Sequence, residues 1–312
     1  MIKIYKSNEK EDVVECNRIE KDSWVNLVNP TIEEIEIVSQ AASISKNVIT
    51  QVLVEKELPR IKKNDNMTLF VINIPFMKDK NIKNKYVTYP LGIIICDLCV
   101  ITVSLVEHEF LKSFVNGKVE NLDTAKNIRL LIQILLKSTE AYLYTLDAIE
   151  DDIEKMEKNT YKSTNNRQLV NFLNIQKTLV YFITSLHANN GVLEKLQKED
   201  ILSIDKENKS LLEDAIIENK QCIETCTVYR EILSSTIDTY GTIISNNLNG
   251  IMKFLAGITI VFSIPTMIAS FLGMNVPLGK IGESGLSFLL ICIISFIISF
   301  LLACWLKKKN ML

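Results

Sequence analysis

The sequence predicts an α+β fold in which an α/β domain is followed by a long α-helical stalk and two transmembrane helices. Three observations support this prediction. Short β-branched and apolar runs alternate with turn residues up to residue 122, no proline occurs between residues 125 and 264, and residues 254–306 carry only Lys280 and Glu283 as charged side chains. The predicted divisions are 1–122 for the α/β domain, 123–250 for the stalk, 251–306 for the transmembrane hairpin and 307–312 for a basic tail.

The α/β domain is predicted from runs rich in β-branched and apolar residues, which favour strands. These runs cover residues 2–5, 24–27, 68–74, 91–96 and 100–104. Helices are predicted for residues 31–42 and 46–57, and the second is expected to end near Pro59 because proline does not continue a helix. Beyond residue 122 the pattern is helical, with predicted helices over 124–161, 165–199 and 206–272.

Composition limits the classes of function. The chain has 35 Lys and Arg against 37 Asp and Glu and a pI near 5.9, which argues against a nucleic-acid partner because a basic patch is expected there. The sequence has no nucleotide-binding loop and no catalytic constellation, so we do not expect an enzyme. The seven cysteines follow no disulfide spacing and the N-terminus lacks a signal-peptide core, so the start of the chain is predicted to stay in the cytosol.

Two apolar runs, about 251–272 and 286–306, are each long enough to cross the roughly 30 Å hydrocarbon core as a helix. The alternative is a pair of buried core helices, and the second run argues against it because it carries no charge. The short link makes the runs a hairpin with both chain ends on one side. Lys253 and Lys307–Lys309 flank the runs, so the positive-inside rule predicts a multi-pass protein of the cytoplasmic membrane with both termini in the cytoplasm.

Four hydroxyl residues share one side of the first predicted span, with steps of four, three and four residues. This hydroxyl seam consists of Thr259, Ser263, Thr266 and Ser270. Its spacing continues backward through Ala256, Met252 and Asn249. Polar groups facing lipid are costly, so the seam is expected to face protein or water, and helix packing and pore lining both fit its periodicity. A lone hairpin cannot enclose a pore, so pore lining requires several copies around an axis.

Gly273, Met274 and Asn275 follow the first span, at its predicted outer end. Gly273 suits a helix end, where a left-handed conformation or a close backbone approach favours glycine. Asn275 is expected to face an aqueous mouth, where an uncharged oxygen donor suits a hydrated cation. At the opposite end of the span, the apolar residues Met252 and Leu255 flank the predicted cytoplasmic entrance.

These features resemble the CorA family of magnesium and cobalt channels, two-span proteins with a Gly-Met-Asn motif. The resemblance is carried by Asn249, Met252-Lys253, Pro265, Gly273-Met274-Asn275 and Lys307-Lys308-Lys309, with Trp24-Val25-Asn26-Leu27 and Pro59-Arg60 in the soluble part. It implies a homopentameric channel architecture with a cytoplasmic α/β domain and a central pore. It further implies that Asn275 forms the ring that binds hydrated Mg²⁺, that Met252 contributes to a gate, that Thr266 lines the pore and that the terminal lysines form a basic ring.

The resemblance also implies a regulatory Mg²⁺ site between subunits. Its carboxylate on the long helix would be Asp214, whereas its partner position falls near Gln51, which is not acidic, so Glu55 and Glu57 are the nearby substitutes. Mg²⁺ is thus expected as transported ion and as regulatory ligand, and the expected partners are further copies of the chain, divalent cations and the lipid bilayer. Two alternatives stay open: a zinc transporter of the same superfamily, and a non-conducting membrane-tethered scaffold or sensor.

Three further clusters receive structural interpretations. Cys96 and Cys99 flank a predicted hairpin turn and match a metal-site spacing without a second pair. Cys222 and Cys226 share one helix face and are interpreted as buried small residues, with a site for a soft metal as the alternative. The acidic residues between 147 and 157 are interpreted as a solvated helix face, with attraction of cations as the alternative.

Overall fold

The computed structural model describes residues 1–8, 13–78, 85–160, 166–198, 201–274, 285–309 and 311. The chain separates into two compact units, Met1–Ser235 and Thr236–Leu312, and each is described by itself. The first unit contains a mixed β-sheet with helices on both of its faces. The second unit contains the two most apolar helical segments of the chain.

The first unit is built on a seven-stranded sheet. Its strands are β1 (Ile2–Ser7), β2 (Val13–Cys16), β3 (Ser23–Val28), β4 (Arg60–Asn64), β5 (Met67–Met77), β6 (Tyr86–Cys96) and β7 (Cys99–Ser104). Their order is β2-β1-β3-β7-β6-β5-β4. All neighbouring strands are antiparallel except β3 and β7, which are parallel. The five predicted strands correspond to β1, β3, β5, β6 and β7.

Seven α-helices complete the described part of the chain. They are α1 (Ile32–Ala41), α2 (Lys46–Thr50), α3 (Glu109–Val115), α4 (Asn127–Thr160), α5 (Asn166–Lys198), α6 (Lys206–Leu272) and α7 (Gly285–Lys308). The three long helices agree with the predicted bounds to within three residues, because no proline interrupts the chain there before Pro265. Helix α6 begins in the first unit and ends in the second.

Side chains of the long central strand β5 alternate between two hydrophobic cores. Phe70 and Ile72 join a core that includes residues of α3, α4, α5 and α6. Leu69 and Val71 join the opposite core, which includes residues of α1 and α2. The period of two follows from strand geometry, and burial on both faces explains why β5 appears in the sequence as a nearly continuous apolar run.

A polar tie attaches the long helices to β5. The backbone N–H of Asn73 donates to the Asn189 side chain at 2.8 Å, and the Asn189 amide donates back to the Asn73 carbonyl at 2.8 Å. The Tyr142 hydroxyl donates to the same carbonyl at 3.0 Å. Asn189 lies on α5 and Tyr142 on α4, so these side chains satisfy backbone groups of β5 that would otherwise be buried without partners.

The helix predicted over residues 46–57 is shorter than expected. Helix α2 ends at Thr50, and a 3-10 turn, Gln51–Leu53, follows it. The Arg60 guanidinium contacts the Glu57 carboxylate and donates to the Gln51 side-chain oxygen at 3.0 Å. These contacts close the segment between α2 and β4 into a compact connection, and an extended helix would separate the groups that meet there.

Three short elements were not predicted: β2, β4 and α3. Both strands are sheet edges, where only one side needs a partner and charged side chains discourage pairing with another chain. The sequence of β4 is accordingly Arg-Ile-Lys-Lys-Asn, with a single apolar residue. Helix α3 has seven residues, which is too short for a helical period to stand out in the sequence.

Val52 lies so close to Gly92 of β6 that no side chain fits at this position. A Cβ atom at this position would lie 2.7 and 2.8 Å from the two methyl carbons of Val52. We predict that Gly92→Ala destabilises the protein by about 1–3 kcal/mol, because overpacking displaces a stiff β-branched neighbour. The measurement is the thermal unfolding midpoint of the purified full chain. Gly191→Ala in α5 is the matched control, since its Cβ would meet nothing within 4 Å, and it should stabilise by about 0.5–1 kcal/mol. Equal midpoints for the two variants would contradict the prediction.

His108, which precedes α3, is 3% exposed and lies between the rings of Phe76 and Phe110. Burial lowers its pKa from 6.5 to about 4. Below pH 6.5 the unfolded chain therefore takes up a proton that the folded chain refuses, so stability falls as the pH drops from 6.5 towards 4. The loss attributable to this group is at most about 3 kcal/mol.

We predict that His108→Gln flattens this dependence. The measurement is the difference in unfolding midpoint between pH 7.5 and pH 5, which should be smaller in the variant than in the parent. His187→Gln, which changes an exposed histidine, is the control and should keep the parental difference. A His108→Gln variant with the full parental difference would show that another group titrates.

Candidate functional site

Three of the four hydroxyl groups of the hydroxyl seam donate hydrogen bonds to the backbone of α6. The hydroxyls of Thr259, Ser263 and Thr266 donate to backbone carbonyls about one turn earlier, at 2.8, 2.8 and 2.9 Å. A hydroxyl that has donated its hydrogen still offers oxygen lone pairs as acceptors. These three residues therefore present hydrogen-bond acceptors to whatever lies beside the helix.

The hydroxyl seam is not the face of α6 that is covered within the second unit. Five of the less exposed residues of the span form a separate seam, with steps of four, three, four and four residues. They are Gly257, Val261, Ile264, Ile268 and Leu272. All four hydroxyl residues are exposed, as are Asn249 and Ala256. Both interpretations of the seam, helix packing and pore lining, stay predictions, and in one copy the seam is left exposed to contact other copies or water.

Ser295 and Ser299 occupy the buried face of α7, where Leu306 continues the same side of the helix. Among the described residues neither serine hydroxyl has a hydrogen-bond partner. Small residues at such positions let helices approach closely in a membrane. Sequence analysis assigned these serines no role, although their four-residue spacing was the signal that marks a common face.

The Gly273-Met274-Asn275 motif is described only in part, because Asn275 lies outside the described residues. The Gly273 N–H donates to the Ala269 carbonyl at 3.0 Å, and the Met274 N–H donates to the Phe271 carbonyl at 3.4 Å. Gly273 is not among the residues with positive φ, and a Cβ there would make ordinary contacts of 3.5 and 3.7 Å. The left-handed conformation expected at Gly273 is therefore not seen, and the alternative of a close backbone approach stays a prediction.

Large apolar side chains surround the start of the span. Met252 is 57% exposed and Leu255 is 56% exposed. Further along, an open groove of about 630 Å³ follows the hydroxyl seam, with Phe262 and Met267 among its walls. Apolar side chains with this exposure are typical of surfaces that meet lipid or another protein chain.

Three consecutive lysines close α7. Lys307 and Lys308 lie in its last turn and Lys309 follows it, and all three are exposed. The Leu306 carbonyl accepts hydrogen bonds from the N–H groups of Lys309 and Met311, both at 3.1 Å. Cations at a helix C-terminus are favoured by the partial negative charge of the last carbonyl groups.

The residues considered for a regulatory metal do not form a site within one chain. Asp214 and Glu55 are exposed, and the Glu57 carboxylate is engaged by Arg60. In the described ranges no three His, Cys, Asp or Glu side chains lie close enough to hold a metal ion. Burial, together with the charges of Glu140 and Asp214, raises the pKa of Glu218, so the surface near Asp214 has a negative potential.

The acidic stretch of α4 is used largely for local contacts. Asp152 accepts hydrogen bonds from the Lys85 ammonium at 2.5 Å and from the Tyr86 hydroxyl at 2.8 Å. Glu150 accepts one from the Tyr229 hydroxyl at 2.7 Å. Burial and the hydrogen bond to Asp152 raise the pKa of Tyr86. These partners support the structural interpretation of the acidic residues over the attraction of cations.

The cysteine pairs also have structural positions. Cys96 and Cys99 flank the two-residue turn between β6 and β7, as predicted, with their sulfur atoms 3.7 Å apart. Cys222 and Cys226 are buried, and burial raises the pKa of each to about 12. Their burial supports the interpretation of both cysteines as small core residues.

Comparison with known proteins identifies the family. A family profile described as CorA-like Mg²⁺ transporter protein matches residues 20–308. The chain belongs to the CorA-like family. Two relatives named cobalt/magnesium transport protein CorA are similar to it. The Methanocaldococcus jannaschii relative is 28% identical over 81% of this chain and 79% of its own length, and the Thermotoga maritima relative is 22% identical over 87% and 78%.

Solved structures agree with the fold of this CorA-like chain. The complete CorA magnesium transporter of Methanocaldococcus jannaschii matches with a TM-score of 0.84 and 24% identity, over 100% of this chain and 99% of that one. Full-length CmaX gives 0.70 and 16%, over 99% and 97%. The cytoplasmic domain of ZntB from Vibrio parahaemolyticus gives 0.59 and 12%, over 79% and 97%. At these identities the likeness establishes the fold alone.

Within the described residues of this CorA-like chain, two helices are long and apolar enough to cross a membrane, Lys206–Leu272 and Leu286–Lys308. The first carries the hydroxyl seam and the apolar residues Met252 and Leu255, and the first two residues of the Gly-Met-Asn motif follow its end. Family membership and these helices make it a membrane protein of a transporter family.

Proposed function

We propose that this chain is the subunit of a homopentameric channel that passes hydrated divalent cations, chiefly Mg²⁺ and also Co²⁺, into the cytoplasm. The observation that carries the proposal is the hydroxyl seam. Three of its four hydroxyls donate to the backbone of α6, and its acceptors lie on a face that the second unit leaves exposed. The printed names of the two CorA relatives, both cobalt/magnesium transport proteins, support the choice of ions.

The chemistry of the seam suits an ion that keeps its water. Water molecules around a divalent cation point their hydrogens outward, and Mg²⁺ exchanges these waters reluctantly. A row of hydroxyl oxygens whose hydrogens are already used can accept hydrogen bonds from that water shell without replacing it. Because neutral acceptors hold the hydrated ion less tightly than carboxylates, they also permit its release.

Several copies are needed to complete this path. One copy presents its hydroxyl seam as an open surface, and a ring of copies that turns the seam inward would surround a polar axis with acceptor oxygens. The separate, less exposed seam of α6 leaves the hydroxyl seam available for that purpose. The number five for the ring comes from the family resemblance.

The ends of the path receive different chemical roles. At the outer end, a ring of Asn275 amides would bind the hydrated ion first. At the inner end, rings of Met252 and Leu255 would form an apolar neck that closes by dewetting, with Asn249 on the cytoplasmic side. The ring of Lys307–Lys309 would surround the cytoplasmic mouth. An inside-negative potential would drive entry, at about 2.3 kcal/mol per charge per 100 mV and twice that for a divalent ion.

The proposal is tested by ion flux into proteoliposomes that contain the full chain. We predict flux of Mg²⁺ and Co²⁺. This flux should be lost in Asn275→Ala, because alanine has no side-chain amide oxygen to accept hydrogen bonds from the hydrated ion. Size-exclusion chromatography with light scattering should give the same oligomer for both proteins. Flux of Zn²⁺ without Mg²⁺ would favour a zinc transporter, and an intact oligomer without any flux would favour a scaffold or sensor.

The hydroxyl seam is tested by removing one acceptor at nearly constant shape. We predict that Thr266→Val lowers Mg²⁺ flux about three- to tenfold, which corresponds to roughly 1 kcal/mol in total for the ring of acceptors lost from the path. Ser299→Ala is the matched control, because it removes a hydroxyl from the buried face of α7, and its flux should equal that of the parent. Equal loss in both variants would mean that the hydroxyls act through packing.

The apolar neck is tested by shortening its side chain. We predict that Met252→Ala raises Mg²⁺ flux severalfold when Mg²⁺ is present on the cytoplasmic side, because a wider and less apolar ring is easier to wet. The variant Ile251→Ala, which shortens an exposed apolar side chain about 100° around α6 from Met252, serves as control. Parental flux in Met252→Ala under these conditions would argue against a gate at this position.

A further inference from the structure

The turn between β6 and β7 carries two cysteines whose sulfur atoms are in contact. Cys96 is the last residue of β6 and Cys99 is the first residue of β7, so only Asp97 and Leu98 separate them. The two sulfur atoms lie 3.7 Å apart, and the Cys96 sulfur also lies 3.1 Å from the Cys99 carbonyl oxygen. The spacing in the sequence indicates a turn, and the contact between the sulfur atoms is what the folded chain adds to it.

The backbone at this turn has the geometry that a disulfide requires. Strands β6 and β7 are antiparallel and pair Ile95 with Val100, so Cys96 and Cys99 are the next opposed pair. Opposed residues of antiparallel strands have Cα atoms about 4.5–5.5 Å apart, and disulfides span Cα distances of roughly 4.4–6.8 Å. Rotation of the two side chains can therefore close the gap between the sulfur atoms without moving either strand.

The two thiols differ in exposure and in acidity. Cys96 is 5% exposed and is followed by the exposed Asp97, whereas Cys99 is 0% exposed. A hydrogen bond with the Cys99 thiol lowers the pKa of Cys96, and backbone groups of Cys99 and Leu98 lower it further. The same hydrogen bond and burial raise the pKa of Cys99. Because the thiolate is the reactive form of cysteine, Cys96 is the better nucleophile and also the less buried of the two.

The two cysteines of α6 form a contrasting pair. Cys222 and Cys226 are both 0% exposed, and burial raises the pKa of each. The Cys222 sulfur lies 3.7 Å from the Thr139 carbonyl oxygen. Neither thiol of this pair has the lowered pKa or the slight exposure of Cys96, so the pair of α6 provides an internal reference for the pair at the turn.

We propose that Cys96 and Cys99 form a reversible oxidation site that reacts with a small hydroperoxide such as hydrogen peroxide. The Cys96 thiolate attacks one peroxide oxygen, the O–O bond breaks, and Cys96 becomes a sulfenic acid while hydroxide leaves and takes up a proton. The Cys99 sulfur then attacks the Cys96 sulfur, so that the S–S bond forms, the S–O bond breaks and water leaves with the Cys99 proton. In total, two thiols become one disulfide and hydrogen peroxide becomes two water molecules.

The roles of the two residues follow from their positions. Only Cys96 has to meet the peroxide, because Cys99 reacts with a sulfur atom that is already beside it. Disulfides in reducing compartments are usually transient and often sense oxidants, and an external dithiol reverses this one by thiol–disulfide exchange. The disulfide also keeps Cys96 from irreversible oxidation to the sulfinic and sulfonic acids. The site lies within the first unit and does not rest on ion transport by the second.

Peptide mapping of the full chain in lipid nanodiscs tests the proposal. Trypsin releases Cys96 and Cys99 in one peptide, 86–112, and the two cysteines of α6 in another, 221–230. The reduced protein is treated with hydrogen peroxide, denatured, alkylated with iodoacetamide, digested and analysed by mass spectrometry. We expect peptide 86–112 to lose both alkylation sites together with two hydrogens, and to regain both sites when dithiothreitol is added before alkylation. Peptide 221–230 should stay alkylated at both cysteines. Full alkylation of peptide 86–112 after peroxide, or equal losses in the two peptides, would overturn the proposal.

Two variants test which cysteine reacts first. In Cys99→Ala, peroxide should produce a sulfenic acid at Cys96 that dimedone traps, because no second thiol removes it. In Cys96→Ala, Cys99 should stay a thiol and remain open to alkylation after denaturation. Oxidation of Cys99 in Cys96→Ala, or no dimedone adduct in Cys99→Ala, would contradict the assigned order. The mapping of the parent protein tests the site independently of how either variant folds.

Discussion

A polar group that a helix carries into a membrane needs a hydrogen-bond partner, and in α6 the backbone of the helix supplies it. The hydroxyl hydrogens of Thr259, Ser263 and Thr266 are all used in this way. What the helix shows to its surroundings is therefore a row of acceptor oxygens without donors. This constraint connects the helical sequence with the proposed passage of a hydrated cation, because water bound to a cation offers only hydrogens.

Within the second unit, α6 has two seams that differ in how exposed their residues are. The seam through Gly257 and Ile264 is the less exposed one, and the hydroxyl seam is exposed. On α7 the hydroxyl residues behave in the opposite way, since Ser295 and Ser299 are buried and lack partners in the described ranges. Hydroxyl residues are therefore exposed along the proposed ion path on α6 and buried on α7. Their burial, and not their residue type, distinguishes the two cases.

Long, strongly patterned elements were predictable from the sequence and short, contact-dependent ones were not. The helices α4, α5 and α6 and the strands β5 and β6 have enough residues for a clear period or composition. The end of α2 was not predictable, because it depends on Arg60 reaching Gln51 and Glu57. The edge strand β4 was missed because its exposed position leaves almost no apolar pattern.

The sequence by itself determined the membrane hairpin, the hydroxyl seam and the Gly-Met-Asn motif, because each depends on composition and spacing along one helix. Tertiary structure decided which side of α6 is less exposed, and it left the hydroxyl seam uncovered within the second unit. It also gave Gly273 an ordinary helix-end conformation and brought Tyr142 and Asn189 of the long helices to Asn73 of β5. Burial and the meeting of distant residues depend on how elements pack, and the spacing of residues along the chain does not contain that information.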